Sequence, residues 1–389
     1  MTALRDIETY IKKISKIYEV ITLTGPRQSG KTTLVKKIFK DKPYVNLENP
    51  RERDFALEDP EGFLARFKDG AVIDEIQRAP DLFSYIQVIV DERKMNSMFI
   101  LTGSQNFALL EQLTQSLAGR TGLVKLLPFS CNELKKNYKI DLFDVDNLIF
   151  TGFYPKIYDK SVDAQIILED YIQTYLERDL RDSAKISDLS LFRKFMKMCA
   201  ARVGQVLNMS NISEDLGVSQ PTVKSWLHLL EMSYVIYLHP SYNANINKQL
   251  VKAPKLYFYD VGLASLLLDI RSPDQVSNHS MRGSLFENLV IVDLLKYFYN
   301  QGIRPSLFYY RDKRKEVDLV YKEAETLRPI EIKSAETVSS SFFDSLEYFE
   351  ALFPKQCVNK TLVTTSSQEQ NRDIALITNH VGLLKSFSS

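Results

Sequence analysis

Gly25-Pro26-Arg27-Gln28-Ser29-Gly30-Lys31-Thr32 constrains this chain more than any other stretch. The octapeptide lies between an apolar run, Val20-Ile21-Thr22-Leu23, and a helical pattern, Thr33-Leu34-Val35-Lys36-Lys37-Ile38-Phe39. Strand, glycine-bounded loop and helix, in that order, are the context in which G-x-x-x-x-G-K-[ST] wraps a polyphosphate. Only backbone N–H groups can surround so compact an anion, and Gly25 and Gly30 lack the Cβ that would prevent the turn and the close approach. The helix that follows offers unpaired N–H donors and the positive end of its dipole. Lys31 is expected to reach the β- and γ-phosphates of ATP, and the Thr32 hydroxyl to ligate Mg²⁺. The candidate nucleotide-binding set is Gly25, Pro26, Arg27, Gln28, Ser29, Gly30, Lys31, Thr32 and Thr33.

A chain of 389 residues predicts two or three domains. Lys+Arg 50 against Asp+Glu 49 leaves no global pull toward nucleic acid or an anionic surface, so any such attraction is local. Cys131, Cys199 and Cys357 are far apart, and His228, His239, His279 and His380 show no ligand spacing. That usage predicts a reduced protein without structural zinc. No signal-peptide pattern opens the sequence and no apolar run approaches spanning length, so a cytoplasmic location and no membrane partner are expected.

Further apolar runs predict strands at Tyr44–Leu47, Ala71–Ile73, Met98–Leu101 and Leu123–Leu127, alternating with helices. Such alternation builds a parallel, doubly wound sheet whose functional residues collect at the carboxyl ends of the strands. One end reads Ala71-Val72-Ile73-Asp74-Glu75, the form of a Walker B segment. Asp74 would hold Mg²⁺ with Thr32, and Glu75 would orient or deprotonate the attacking water. At a second end, Leu101-Thr102-Gly103-Ser104-Gln105, either Ser104 or Gln105 is expected to touch the γ-phosphate.

With L-T-G-S-Q, S-L-A-G-R (to Arg120) and L-P-F-S added to the Walker motifs, the sequence resembles a group of bacterial and archaeal AAA+-type ATPases. Members pair an AAA domain of the additional-strand type with a C-terminal domain of uncharacterised function. The resemblance runs from near Ser15 to near Ala335. It implies that the Ser104 strand lies between the Lys31 and Asp74 strands. It also singles out Arg120 to compensate γ-phosphate charge, in cis or across a subunit contact, with Arg178 a weaker candidate.

After a predicted helix at Ile166–Leu180 come Leu191–Arg202 and then Asn211 to Leu230, which has a helix-turn-helix cadence. Gly217 marks the turn, Ser219 the N-cap and Pro221 the first turn. Val223, Trp226, Leu227 and Leu230 recur at i, i+3, i+4, i+7 and predict the buried face, with Ser233–Leu238 as a wing strand. Residues 201–240 bring Arg202 and Lys224 against Glu214, Asp215 and Glu231, too few cations for a groove reader, so a structural role is favoured.

Farther on, Glu287 sits in a helical pattern, Asp318 in Glu316-Val317-Asp318-Leu319-Val320, and Glu331 and Lys333 in Pro329-Ile330-Glu331-Ile332-Lys333. A helical Glu, a strand Asp and Glu-x-Lys on the next strand match a PD-(D/E)xK core. In such a core Asp318 and Glu331, with Glu287, bind Mg²⁺ while Lys333 polarises water. Period-two alternation puts Glu331 and Lys333 on one strand face. A half-exposed structural strand would show the same alternation.

The fold expected is α/β. A P-loop NTPase core with a parallel, doubly wound sheet occupies residues 1–140, followed by a helical connection (141–185). A winged-helix domain (186–245) and a PD-(D/E)xK nuclease-like α/β domain (246–389) complete it. The function expected is an ATP-hydrolysing switch with catalytic residues Lys31, Glu75, Ser104 and Arg120. Two alternatives stand beside it: an Mg²⁺-dependent DNA-processing nuclease gated by ATP, and a non-catalytic ATP-binding scaffold. The partners to be tested are ATP, DNA, another protein and a second copy of the chain.

Overall fold

The structure, a computed structural model, describes residues 3–104, 116–176, 188–245, 252–312 and 315–387. It divides into two compact units. The first comprises Met1–Phe129, Met232–Tyr234 and Phe298–Ile303; the second comprises Ser130–Glu231, Val235–Tyr297 and Arg304–Ser389.

Five strands organise the first unit: β1 (Val20–Thr24), β2 (Tyr44–Asn46), β3 (Ala71–Asp74), β4 (Phe99–Gly103) and β5 (Thr121–Lys125). Every neighbouring pair is parallel, in the order β2-β3-β4-β1-β5. The strand β4, which leads into Ser104, therefore does lie between β1, which leads into the Lys31 loop, and β3, which ends at Asp74. Strands of a parallel sheet are buried on both faces and read as unbroken apolar runs. Val20, Ile73, Phe99 and Leu101 pack on one face with Leu82, Phe83, Ile86 and Val90 of the helix Leu82–Arg93. Ile21, Leu23, Val72, Ile100 and Val124 pack on the other. That second face is covered by helices α1 (Glu8–Ile14) and α2 (Lys31–Ile38) through Ile11, Ile14, Leu34 and Val35.

In the second unit, α3 (Leu189–Ala200), α4 (Met209–Leu216) and α5 (Gln220–Met232) precede an antiparallel pair, β6 (Ile236–His239) and β7 (Lys255–Phe258). Gly217 ends α4 in the left-handed region at φ 69°, and the Ser219 hydroxyl accepts the Thr222 N–H at 3.2 Å. Trp226 stands edge-on to Phe192, with ring centroids 5.3 Å apart. Val223, Trp226, Leu227 and Leu230 are all buried, the face their spacing predicts. Leu230 is fully inaccessible, so Leu230→Ala should destabilise this unit by about 2–5 kcal/mol, read as a lower urea midpoint. An unchanged midpoint would show that α5 is not packed as described.

The second unit continues with α6 (Arg282–Asn300) and a six-stranded sheet. Its strands are β8 (Leu307–Arg311), β9 (Glu316–Glu323), β10 (Thr326–Lys333), β11 (Thr361–Thr364), β12 (Gln370–Asn371) and β13 (Leu376–Thr378). Their order is β12-β13-β11-β10-β9-β8, with β8, β9 and β10 an antiparallel meander and β10 parallel to β11. Val317, Val320 and Leu327 pack with Leu346 and Phe349 of the helix Asp344–Leu352. Among the described residues no helix is long and apolar enough to cross a membrane.

Candidate functional site

The loop between β1 and α2 has the geometry its glycines predict. Gly25 adopts φ 149°, and a Cβ there would stand 2.0 Å from the Leu126 carbonyl oxygen. Gly30 is the left-handed residue, φ 92°, that opens α2. Arg5 clasps this loop: one guanidinium nitrogen donates to the Ser29 carbonyl at 2.7 Å and another to the Leu127 carbonyl at 2.6 Å. Lys31, 6% exposed, donates its ammonium to the carbonyls of Gly25 and Pro26 at 2.9 and 2.8 Å. Burial lowers its pKa to about 8, against the raising effect of Glu75 and Asp74.

Asp74 and Glu75 lie at the carboxyl end of β3, as a Walker B segment requires. The Thr32 hydroxyl donates to Asp74 Oδ2 at 2.7 Å, so the two expected Mg²⁺ ligands already face one another. Tyr44 donates to the same oxygen at 2.7 Å, and Thr102 donates to Asp74 Oδ1. Three hydroxyls thus orient one carboxylate. Glu75 sits in the left-handed region, φ 57° and ψ 45°, a conformation a non-glycine residue keeps only where its surroundings fix it. Ser104 Oγ donates to Glu75 Oε2 at 3.0 Å and the Gln77 amide donates to the same oxygen. Ser104, the residue expected near the γ-phosphate, thus lies against Glu75, the carboxylate expected to orient water.

Arg120 is placed elsewhere. It precedes β5 at the amino end of the sheet, where its backbone carbonyl accepts the Val20 N–H, and its guanidinium bridges the Asp91 carboxylate. The 25–33 loop lies at the opposite, carboxyl ends of the strands, away from Arg120. Gln105 and Arg178 lie outside the described residues. Arg5, Tyr44, Thr102 and Gln77 carry no role assigned from the sequence, and Gln77 lies two residues beyond the Walker B carboxylates. Tyr234, at φ 58°, also joins this unit by donating to Thr24 Oγ1 at 2.9 Å.

Glu287, Asp318, Glu331 and Lys333 do meet in the second unit. Lys333 Nζ lies 2.5 Å from Glu331 Oε1 and 3.6 Å from Asp318 Oδ2. Asp318 Oδ2 also accepts the Ile332 N–H at 2.9 Å. Tyr257 donates to Glu287 Oε1, and the Lys255 ammonium lies 3.0 Å from that oxygen. Desolvation first, then Asp318, raises the Glu287 pKa to about 7 and the Glu331 pKa to about 8. Among the described residues, no three His, Cys, Asp or Glu side chains are arranged to hold a metal ion.

Between the ordinary 4.5 and about 7–8, the folded chain holds protons that the unfolded chain releases. Stability from this cluster is full below the unfolded pKa and is lost as pH rises through the folded values. Glu331→Gln removes one such titration. Its unfolding free energy relative to the parent should therefore increase from pH 5 to pH 8 by on the order of 2 kcal/mol. Parallel stability curves in denaturant would refute this.

An AAA domain family model matches residues 18–135. Two further models, each described as a domain of unknown function, match residues 142–274 and 282–381. An uncharacterized protein of Mycobacterium tuberculosis is 30% identical over 343 residues, covering 87% of this chain and 75% of its own. One of Haemophilus influenzae is 22% identical over 396 residues, covering 93% of this chain and 94% of its own. Among solved structures, the Walker-type ATPase of Pyrococcus abyssi is 15% identical with a TM-score of 0.48, covering 69% of this chain and 96% of that one.

Proposed function

We propose that this chain, whose residues 18–135 match an AAA domain model, binds ATP at residues 25–33, hydrolyses it and acts as a nucleotide-driven switch. The observation carrying this reading is the Thr32–Asp74 hydrogen bond beside Lys31, with Glu75 gripped by Ser104 just past the adjoining strand. A hydroxyl and a carboxylate oxygen 2.7 Å apart fit Mg²⁺, which takes few protein ligands and completes its shell with water and phosphate. When bound, Mg²⁺ would supply charge neutralisation at the phosphates. Lys31 would bind β- and γ-oxygens, and the loop amides would orient the triphosphate. Glu75 would accept a proton from water as its oxygen bonds to the γ-phosphorus and the bond to the β–γ bridging oxygen breaks, leaving ADP and phosphate.

Helix α4, the Gly217 turn, helix α5 and the β6/β7 hairpin support a winged helix within residues 186–245 and just beyond. Its scarcity of cations supports a mechanical role. Convergence of Glu287 with Asp318, Glu331 and Lys333 supports a nuclease-like core within 246–389, and with it the second reading, a metal-dependent DNA-processing enzyme gated by ATP. Phosphate release, measured without DNA and with single- or double-stranded DNA, tests both readings. Turnover without DNA supports the switch, and stimulation by DNA supports the second reading. Tight ATP binding without phosphate release would overturn hydrolysis and leave a scaffold.

A further inference from the structure

Lys255 is a buried cation at the centre of the nuclease-like carboxylates. It lies on β7, outside the six-stranded sheet, and its side chain is 1% exposed. Its ammonium stands 2.6 Å from Glu316 Oε1, 3.0 Å from Glu287 Oε1 and 3.8 Å from Asp318 Oδ1. Carboxylates brought together away from water repel unless a cation lies among them. A nuclease-like core meets that need with a divalent metal, bound at about 2.0–2.6 Å by oxygen ligands. Here Glu287 and Asp318, two of the expected metal ligands, converge on a lysine, Glu287 by a charge-assisted hydrogen bond at 3.0 Å and Asp318 as an ion pair at 3.8 Å. Tyr257, two residues along the same strand, fixes Glu287 from that side. Glu331 spends Oε1 on Lys333, while its Oε2 is buried with no hydrogen-bond partner among the described residues.

We infer that Lys255 is the resident cation of this cluster, standing where a divalent metal would bind, so that the C-terminal domain takes no metal and cuts no phosphodiester while the lysine is in place. The inference rests on the nuclease-like reading of the core and is independent of ATP turnover. A metal entering between Glu287 and Asp318 would meet the fixed charge of Lys255 at contact distance, and both cannot occupy the gap.

The test is Mn²⁺ binding, followed by loss of the free-ion paramagnetic resonance signal, on the full chain without nucleotide. An Asp74→Ala background removes the metal ligand of the ATP site. With Lys255 intact, no Mn²⁺ should bind. Lys255→Ala should acquire one site per chain, lose it again with Asp318→Ala, and melt at a higher temperature with Mn²⁺ than without. Asp318-dependent binding by the Lys255-intact protein would overturn the inference while leaving the nuclease-like reading standing. A folded Lys255→Ala protein that binds no Mn²⁺ would overturn both. Should Lys255→Ala not fold, the Lys255-intact titration alone decides: binding refutes the inference and its absence supports it.

Discussion

Glu75→Gln should release phosphate from ATP about a hundred to ten thousand times more slowly than the parent, with ATP affinity nearly unchanged. Glutamine keeps the size and one oxygen of glutamate but cannot take a proton from water. Its amide can still meet Ser104 Oγ, so the backbone at φ 57° and the neighbouring Asp74 have no reason to move. Ser104→Ala is the control for positioning. It removes one of the two donors to Glu75 Oε2, a loss of roughly 1 kcal/mol in orientation, and should slow turnover by about tenfold at most. Equal phosphate release by Glu75→Gln and the parent, in protein that still binds ATP, would remove Glu75 from the chemistry. A Glu75→Gln protein that no longer binds would mean its role is structural.

Much of the first unit was legible because parallel strands and phosphate loops constrain sequence locally. The five apolar runs mark five strands, and Gly25 is required because Leu126 crosses at its α-carbon. Errors fall where tertiary closure decides. The strand expected at Leu123 starts at Thr121, where Gly122 leaves room for Ile14, Tyr18 and Ile21 on a residue of no hydropathy signal. The wing strand expected from Ser233 starts at Ile236, since Tyr234 adopts φ 58° and cannot continue an extended chain. The helix expected from Ile166 to Leu180 holds regular α geometry over Ala164–Tyr171, and its end lies outside the described residues.

The site was legible in part for the same reason. Lys31, Thr32, Asp74 and Glu75 belong to motifs whose spacing is their signal. Tyr44 and Thr102 reach Asp74 from other strands, and no local pattern distinguishes a strand-opening tyrosine that orients a carboxylate from one that packs. Ser104 was found, but its partner was not: which way a small hydroxyl points depends on Glu75, 29 residues away. Lys255 shows the limit most clearly. In Lys255-Leu256-Tyr257-Phe258 a single lysine opens an apolar run, yet it is buried with the rest because Glu287 and Glu316 accept its ammonium and Asp318 pairs with it at 3.8 Å.

Lys31→Ala should weaken ATP binding by roughly a hundred- to a thousandfold, the equivalent of losing one or two charge-assisted hydrogen bonds. On binding, the lysine would exchange the Gly25 and Pro26 carbonyls for phosphate oxygens, and alanine offers nothing in return. A pH dependence separates this from mere disruption of the loop. Burial holds the Lys31 pKa at about 8, well under its ordinary 10.5, so above that pH the free protein carries a neutral amine. A polyphosphate favours the charged form, and binding there must take up a proton. Parent affinity for ATP should therefore fall as pH rises through about 8 and toward 10, with calorimetric heats that depend on the ionisation enthalpy of the buffer. In Lys31→Ala both the slope and the buffer dependence should vanish from whatever weak binding remains. A parent whose affinity is flat from pH 7 to pH 10 would show that no lysine titrates against the phosphates. The loop would then bind, if at all, through its main-chain amides alone.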